Sequence, residues 1–350
     1  MGRETVGAFR PRGIEEADLN PDFRDDQPFM TAVIDAVLPV FALIGTGYLA
    51  ARRRVLDAAV TDSLNLFVVR LALPALLFDA TARMTWADID HPGYLLASAG
   101  GMAGTFALSM LLDRRPGHRL ADRAIEGLDA AYGNTGFLGI PLGLALFGNA
   151  ILPALVISVL LTACLLFALA IVLIEFDLAA APPAGPMPGT ARAPGLGRTI
   201  LRALGSLARN PLLVSPLLGG LWAVTEWPLP SPADRFLVLL GAAAGPCALV
   251  TIGLFLAEHR GRGATPEVAR LVGLKLLAQP LLTLAIGRVV TMPAPWFDTA
   301  LLLAALPTGT GPFMLAKLYG RPAATTSRVI LLSTVLSVAT VSGLVVWIGS

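Results

Sequence analysis

Charge is scarce in this chain. Asp, Glu, Lys and Arg make up 14% of its 350 residues, whereas 55% are hydrophobic and the mean hydropathy is +0.72. A soluble domain carries about 25% charged residues, so a soluble globular class is excluded. The net charge of +2 is too small to suggest a nucleic-acid partner. Cysteine is nearly absent: Cys164 and Cys247 both lie in apolar stretches, which argues against a disulfide framework and leaves the redox compartment unread. The histidines, His91, His118 and His259, all fall in polar connections. No GxxxxGK[ST] phosphate loop occurs, which leaves direct ATP use unsupported. No cofactor motif and no metal-ligand set is expected.

What the chain does have is apolar length. Runs lie at about 31–51, 64–82, 93–112, 124–147, 150–174, 210–226, 236–257, 268–290, 298–319 and 327–348. Each is near the roughly 20 residues a spanning helix needs, and all are too long for barrel strands. An all-α polytopic membrane protein with ten transmembrane helices is therefore expected, lipid tolerating only helices or closed barrels.

Two stretches stand apart. Residues 1–30 hold seven acidic residues and four arginines with no apolar period, the composition of a disordered tail. The tail is not a signal peptide, because Arg52, Arg53 and Arg54 follow the first run instead of preceding it. Val6 stands where myristoylation wants Ser or Thr, and both Met1 and Met30 read as starts. Residues 176–208 carry Pro182, Pro183, Pro186, Pro188 and Pro194 among Gly and Ala, a linker. Five runs precede it (31–175) and five follow (209–350). Connections after the odd-numbered runs hold sixteen arginines, against seven on the other side. By the positive-inside rule those loops and the linker are cytoplasmic, both termini lie outside, and the location is the cell membrane.

The halves repeat. An offset of 172 carries Pro39 onto Pro211, Gly47 onto Gly219, Asp62 onto Asp234, Pro74 onto Pro246, Gly139 onto Gly311 and Gly148 onto Gly320. Five helices per half is an odd number, so the second half enters the membrane inverted, as in secondary transporters. Such repeats bind substrate where equivalent helices break. The fourth run reads GNTGFLGIPLG over 133–143, and the ninth reads ALPTGTGPFMLAKLYG over 305–320. Pro and Gly free backbone groups there, and in hydrocarbon those groups need partners. Either break alone also reads as an ordinary kink. Two breaks at equivalent positions, each with Thr or Asn beside it, favour a site.

These residues carry a resemblance. The stretches VLPVFALIGTGYLAARR (37–53), LNLFVVRLALPALLF (64–78), GNTGFLGIP (133–141), ARNPLLVSPLLGGL (208–221), GAAAGPCALVTIGLFLA (241–257), LKLLAQPLL (274–282) and LPTGTGPFMLAKLYG (306–320) resemble the auxin efflux carrier family, whose bacterial branch includes malonate and malate transporters. The resemblance implies ten helices in two inverted repeats, with helices 4 and 9 broken and crossing. It also implies a scaffold of helices 1, 2, 6 and 7 that can form a homodimer, a transport half of helices 3–5 and 8–10, and anionic substrates. Asn134 and Pro141 match the family's helix 4 motif, and Pro307 and Thr308 match helix 9. With the adjoining Thr135, Gly136, Gly309 and Thr310 they form the expected substrate site. The run Gly309-Thr310-Gly311-Pro312 departs from the small residues and Asn common in relatives, a difference that bears on substrate and not on fold.

Ionisable residues at membrane depth read as functional by default. Arg70, Asp129 and Lys275 are candidates for charge recognition or coupling. Arg70 and Lys275 also read as side chains that snorkel to the interface, and Asp129 as a satisfied charge at a helix approach. The expected function is secondary transport of a small organic anion, such as the dicarboxylates malonate or malate, by alternating access, with a proton or sodium ion as coupling partner. An efflux carrier of an auxin-like weak acid is the alternative. A transporter-like sensor without turnover is an alternative of another class. An intramembrane enzyme is not expected, because the apolar runs hold no histidine and Cys164 and Cys247 lack an obvious base.

Overall fold

The computed structural model describes residues 29–85, 87, 90–180, 211–258 and 265–349. Most of the tail and of the Pro/Gly-rich linker lies outside them. The regular structure among the described residues is helical, with one isolated β-bridge and no strand. In chain order the helices are α1 (Phe29–Arg52), α2 (Ala59–Ala82), α3 (Pro92–Leu112), α4 (Leu120–Ala131), α5 (Thr135–Phe147), α6 (Asn149–Leu178), α7 (Pro211–Ala223), α8 (Ser231–Glu258), α9 (Pro266–Val289), α10 (Ala294–Ala305), α11 (Gly311–Leu318) and α12 (Ala324–Gly349). Six of them, α2, α3, α6, α8, α9 and α12, are long and apolar enough to cross a membrane. The helix ending in α6 continues to Ala180, past the expected linker boundary at 176. Several helices start earlier than hydropathy suggests. Asp57 and Thr265 cap first turns, each side chain accepting from a backbone N–H three residues on, and a capped polar turn is invisible to an apolar scan.

Proline shapes the helix interiors. Four wide π-turns occur among the described residues. Three of them, Val68–Ala72, Thr135–Gly139 and Leu274–Ala278, precede a proline by two residues, Pro74, Pro141 and Pro280; the fourth, Leu161–Leu166, is followed by no such proline. A proline ring collides with the carbonyl four residues back and offers no N–H. Widening the turn by one residue absorbs both defects.

Lipid chains are as apolar as leucine, so close packing has to hold such helices together. Glycine supplies it. A Cβ on Gly47 of α1 would stand 2.2 Å from the Val250 carbonyl oxygen of α8, and one on Gly253 of α8 would stand 2.0 Å from the Ile44 oxygen of α1. Likewise a Cβ on Gly219 of α7 would stand 2.5 Å from the Phe78 oxygen of α2. Gly219 is 172 residues after Gly47, and Val250 is 172 after Phe78, so these contacts correspond. The same interval separates the left-handed residues Arg54 and Glu226 (both φ 57°), and Gly148 and Gly320 (φ 73° and 61°).

Candidate functional site at the α4–α5 and α10–α11 breaks

Both expected breaks are present, and they touch. Tyr132–Asn134 links α4 to α5 and Leu306–Thr310 links α10 to α11, each outside helical geometry. Asn134 N–H donates to the Pro307 oxygen (2.9 Å) and Gly309 N–H to the Tyr132 oxygen (3.0 Å). These bonds make an antiparallel bridge centred on Gly133 and Thr308. Glycine is required for this approach: a Cβ on Gly309 or Gly311 would meet the Tyr132 ring at 3.0 or 2.6 Å, and one on Gly133 would stand 3.2 Å from the Leu303 oxygen.

A helix that ends inside the protein leaves carbonyls without partners. Here side chains take them. Thr308 Oγ1 donates to the Asp129 oxygen (2.7 Å) and Gln279 Nε2 to the Ala131 oxygen (3.1 Å), both near the end of α4. Lys275 Nζ donates to the Ala304 oxygen at the end of α10 (2.8 Å). The Thr308 N–H donates to Ser333 Oγ (3.1 Å), and Thr326 Oγ1 donates to Asp129 Oδ2 (2.9 Å). Asp129, Lys275 and Thr308 are fully buried. Lys275 rides on the π-turn of α9, and Gln279 lies four residues further on the same helix.

The opposite helix ends are uncommitted. The amides of Gly136, Phe137, Thr310 and Gly311 donate to no group among the described residues, and neither does the Asn134 carboxamide, although Asn134 is 93% buried. Helix N-termini with free amides attract anions. Two such ends, an uncommitted carboxamide and a lysine converge on one crossing.

Of the expected site residues, the structure joins Asn134, Pro307, Thr308 and Gly309 directly through the bridge, with Thr135, Gly136 and Thr310 flanking it. Asp129 and Lys275 reach the same crossing. Pro141 lies further along α5, where a Cβ on Gly245 of α8 would stand 3.4 Å from it. Arg70 is exposed on α2 and makes no hydrogen bond or ion pair among the described residues. Sequence reasoning missed Gln279, Thr326 and Ser333. A signal existed for them: Gln279 shares a helix face with Lys275, and Thr326 and Ser333 are seven residues apart on one face of α12.

A second polar cluster closes one end of the same helices. Arg115, beyond α3, donates to Asp113 (2.8 Å) and to both oxygens of Glu126 on α4 (2.6 and 2.5 Å), and pairs with Glu267 on α9 (3.0 Å). Arg270 also donates to Glu126 (2.7 Å), and Arg321 pairs with Asp122 (3.3 Å). Burial opposes the charge on Asp113, but Arg115 and His118 outweigh it and hold the carboxyl below the usual carboxylate range. Asp113, His118 and Glu126 each bring a ligand atom within 4.8 Å of the others. The Arg115 guanidinium donates to both carboxylates, which makes the cluster an ion-pair network rather than a metal centre.

The comparisons agree on kind. The family described as Membrane transport protein matches residues 32–184 and 197–345. A Rhizobium meliloti (strain 1021) protein named "Putative malonate transporter" is 33% identical over 92% of this chain and 97% of its own length. "Uncharacterized transporter YfdV" of Escherichia coli (strain K12) is 26% identical over 82% of this chain and 88% of its own length. "Auxin efflux carrier component 8" of Arabidopsis thaliana is 24% identical over 82% of this chain and 89% of its own length.

Proposed function

Because the chain belongs to the Membrane transport protein family, that of the auxin efflux carriers, we propose that it moves small organic anions across the cell membrane as a secondary transporter, by alternating access. Dicarboxylates of the malonate or malate kind are the proposed substrates, and the crossing of α4–α5 with α10–α11 is the proposed site. The observation that carries this reading is the pair of opposed helix ends with uncommitted amides, beside the Asn134 carboxamide and the Lys275 ammonium. A carboxylate accepts several hydrogen bonds at once, and each of these groups can supply one. The malonate name of the Rhizobium relative supports the substrate class.

Ten spans in two inverted repeats follow if α4–α5 and α10–α11 each count as one broken span. Two coincidences at an interval of 172 support this arrangement, the left-handed residues and the glycine contacts of Gly47 and Gly219, and the two breaks lie within four residues of the same interval. The topology has support too. Arg115 and Arg270, from the connections after the third and seventh expected spans, share Glu126 of α4, and Arg321, from the connection after the ninth, pairs with Asp122 one turn earlier on the same helix, as loops on a single side would. That side is assigned to the cytoplasm, with both termini outside. The scaffold reading of α1, α2, α7 and α8, its homodimer and the cytoplasmic linker are proposals of the same standing.

Uptake of labelled malonate, malate and indole acetate into proteoliposomes tests the function. Saturable malonate or malate uptake is expected. Saturable uptake of indole acetate alone would move the assignment to auxin-like acids, and ligand binding without uptake would make the protein a sensor.

A further inference from the structure

The crossing holds two buried ionisable groups of opposite sign that are not paired with each other. Asp129 Oδ2 accepts from Thr326, whereas Oδ1 has no partner among the described residues. Lys275 is equally buried and spends its ammonium on a backbone carbonyl. An ionised carboxylate with one hydroxyl donor and no counter-ion is costly away from water. In this conformation Asp129 therefore calls for a proton or a bound cation.

The donor set argues against a metal. A hard cation takes about six oxygen ligands. Among the described polar side chains at the crossing, Asp129 Oδ1 and Gln279 Oε1 are fully buried oxygens without a partner, and the Asn134 carboxamide oxygen comes next; these fall well short of about six. The Asp129, Ala131 and Ala304 carbonyls already accept from Thr308, Gln279 and Lys275. The ammonium of Lys275 further disfavours a second positive ion. A proton needs one oxygen only.

We propose that Asp129 is the proton-binding group that couples anion uptake to the proton gradient, while Lys275 recognises the substrate carboxylate. The inference rests on the transport reading above and deepens it by naming the coupling ion. When the site faces the acidic side, an O–H bond forms between a proton from water and Asp129 Oδ1, and the Lys275 ammonium turns from the Ala304 carbonyl to the substrate. After reorientation the O–H bond breaks, the proton passes to water and the anion leaves with it. No electron is transferred, and one proton crosses per cycle. The groups that act on the Asp129 carboxyl are the Thr326 hydroxyl on α12, Glu126 on its own helix and Glu267 on α9, while Lys275 reaches the same crossing through the Ala304 carbonyl. Arg115 and Arg270 are committed to Glu126, and Arg115 also to Glu267, which leaves Lys275 as the cation free to answer a substrate.

The test uses the full chain in proteoliposomes with labelled malonate as the probe and a pH dye inside. Wild-type protein should accumulate malonate when the outside is acidic, acidify the lumen as it does so, and show no accumulation from a sodium gradient at equal pH. Asp129→Asn should lose gradient-driven accumulation roughly tenfold or more and lose the proton signal, while keeping slower malonate exchange that no longer varies with pH. Lys275→Gln should lose exchange as well. Sodium-driven uptake by wild type, or gradient-driven accumulation by Asp129→Asn, would overturn the proposal. If Asp129→Asn fails to fold, Thr326→Val replaces it: a shifted pH profile of uptake supports the coupling role, and an unshifted one rejects it. Malonate uptake without proton movement sinks the coupling alone, whereas no uptake of any tested anion sinks the transport reading and this inference with it.

Discussion

Two regions bring backbones unusually close, and they do it by different means. Where α1 meets α8, Gly47 and Gly253 let two intact helices touch, carbonyl oxygens lying where a Cβ would stand. No backbone hydrogen bond crosses between the two helices among the described residues, so the contact rests on shape. At the crossing, glycine again permits the approach, but the helices have ended, and Thr308, Gln279, Lys275 and Ser333 satisfy the loose ends. Side-chain bonds of this kind can be exchanged for bonds to a substrate. Close packing of complete helices makes a frame, whereas close packing of broken ones leaves the polar groups on which the proposed site rests.

The largest expected effect lies in the frame. Gly253→Ala puts a Cβ 2.0 Å from the Ile44 oxygen, a backbone atom that cannot rotate away. Overpacking on that scale costs about 3 kcal/mol or more, enough to abolish monodisperse protein on size-exclusion chromatography. Gly45→Ala, with nothing within 4 Å, should leave the elution profile unchanged.

Changes in the ion-pair network should come next. Arg115→Ala leaves Glu126 with Arg270 and the more distant His118 ring, at an expected cost of about 1–3 kcal/mol. That is less than for a fully buried pair, because the Arg115 side chain is 39% exposed. The pH dependence has a definite sign. The Asp113 carboxyl is held below its ordinary value, so its contribution is complete above about pH 4 and lost as pH falls through the lower folded value. Thermal melts of the detergent-solubilised protein should show an acid-side decline that is shallower in Asp113→Asn.

The smallest effect concerns the left-handed pair. Arg54→Gly and Glu226→Gly each relieve a non-glycine residue at φ 57° and should stabilise by up to about 1 kcal/mol, read as a rise in melting temperature. Equal shifts would strengthen the correspondence between the halves, and opposite shifts would weaken it.

Much of the frame was legible because hydropathy reports burial in lipid directly, and because Pro and Gly mark two breaks at equivalent positions, each of which alone reads also as a kink. The prolines at 141 and 280 even mark the two π-turns at the crossing. The helix starts were less legible, since a first turn capped by Asp57 or Thr265 looks like loop. Asn134 and Thr308 stood out by lying beside the breaks. Gln279, Thr326 and Ser333 did not, because their partners are a carbonyl and a carboxylate about 150 to 200 residues away for Gln279 and Thr326, and the Thr308 amide for Ser333. Arg70 looked like a recognition residue by depth, yet depth carries no information about which face of α2 it occupies.

The claim that the crossing is the anion site is tested most directly by initial-rate uptake of labelled malonate by Asn134→Ala, with Thr162→Val as control, in proteoliposomes matched for folded protein. Asn134 offers a carboxamide bonded to nothing among the described residues, whereas the Thr162 hydroxyl donates to the Ser158 oxygen of its own helix (2.6 Å). Losing a buried hydrogen bond costs about 1–3 kcal/mol, so Asn134→Ala should cut uptake roughly 5- to 150-fold while Thr162→Val stays near wild type. Wild-type uptake by folded Asn134→Ala protein would contradict it.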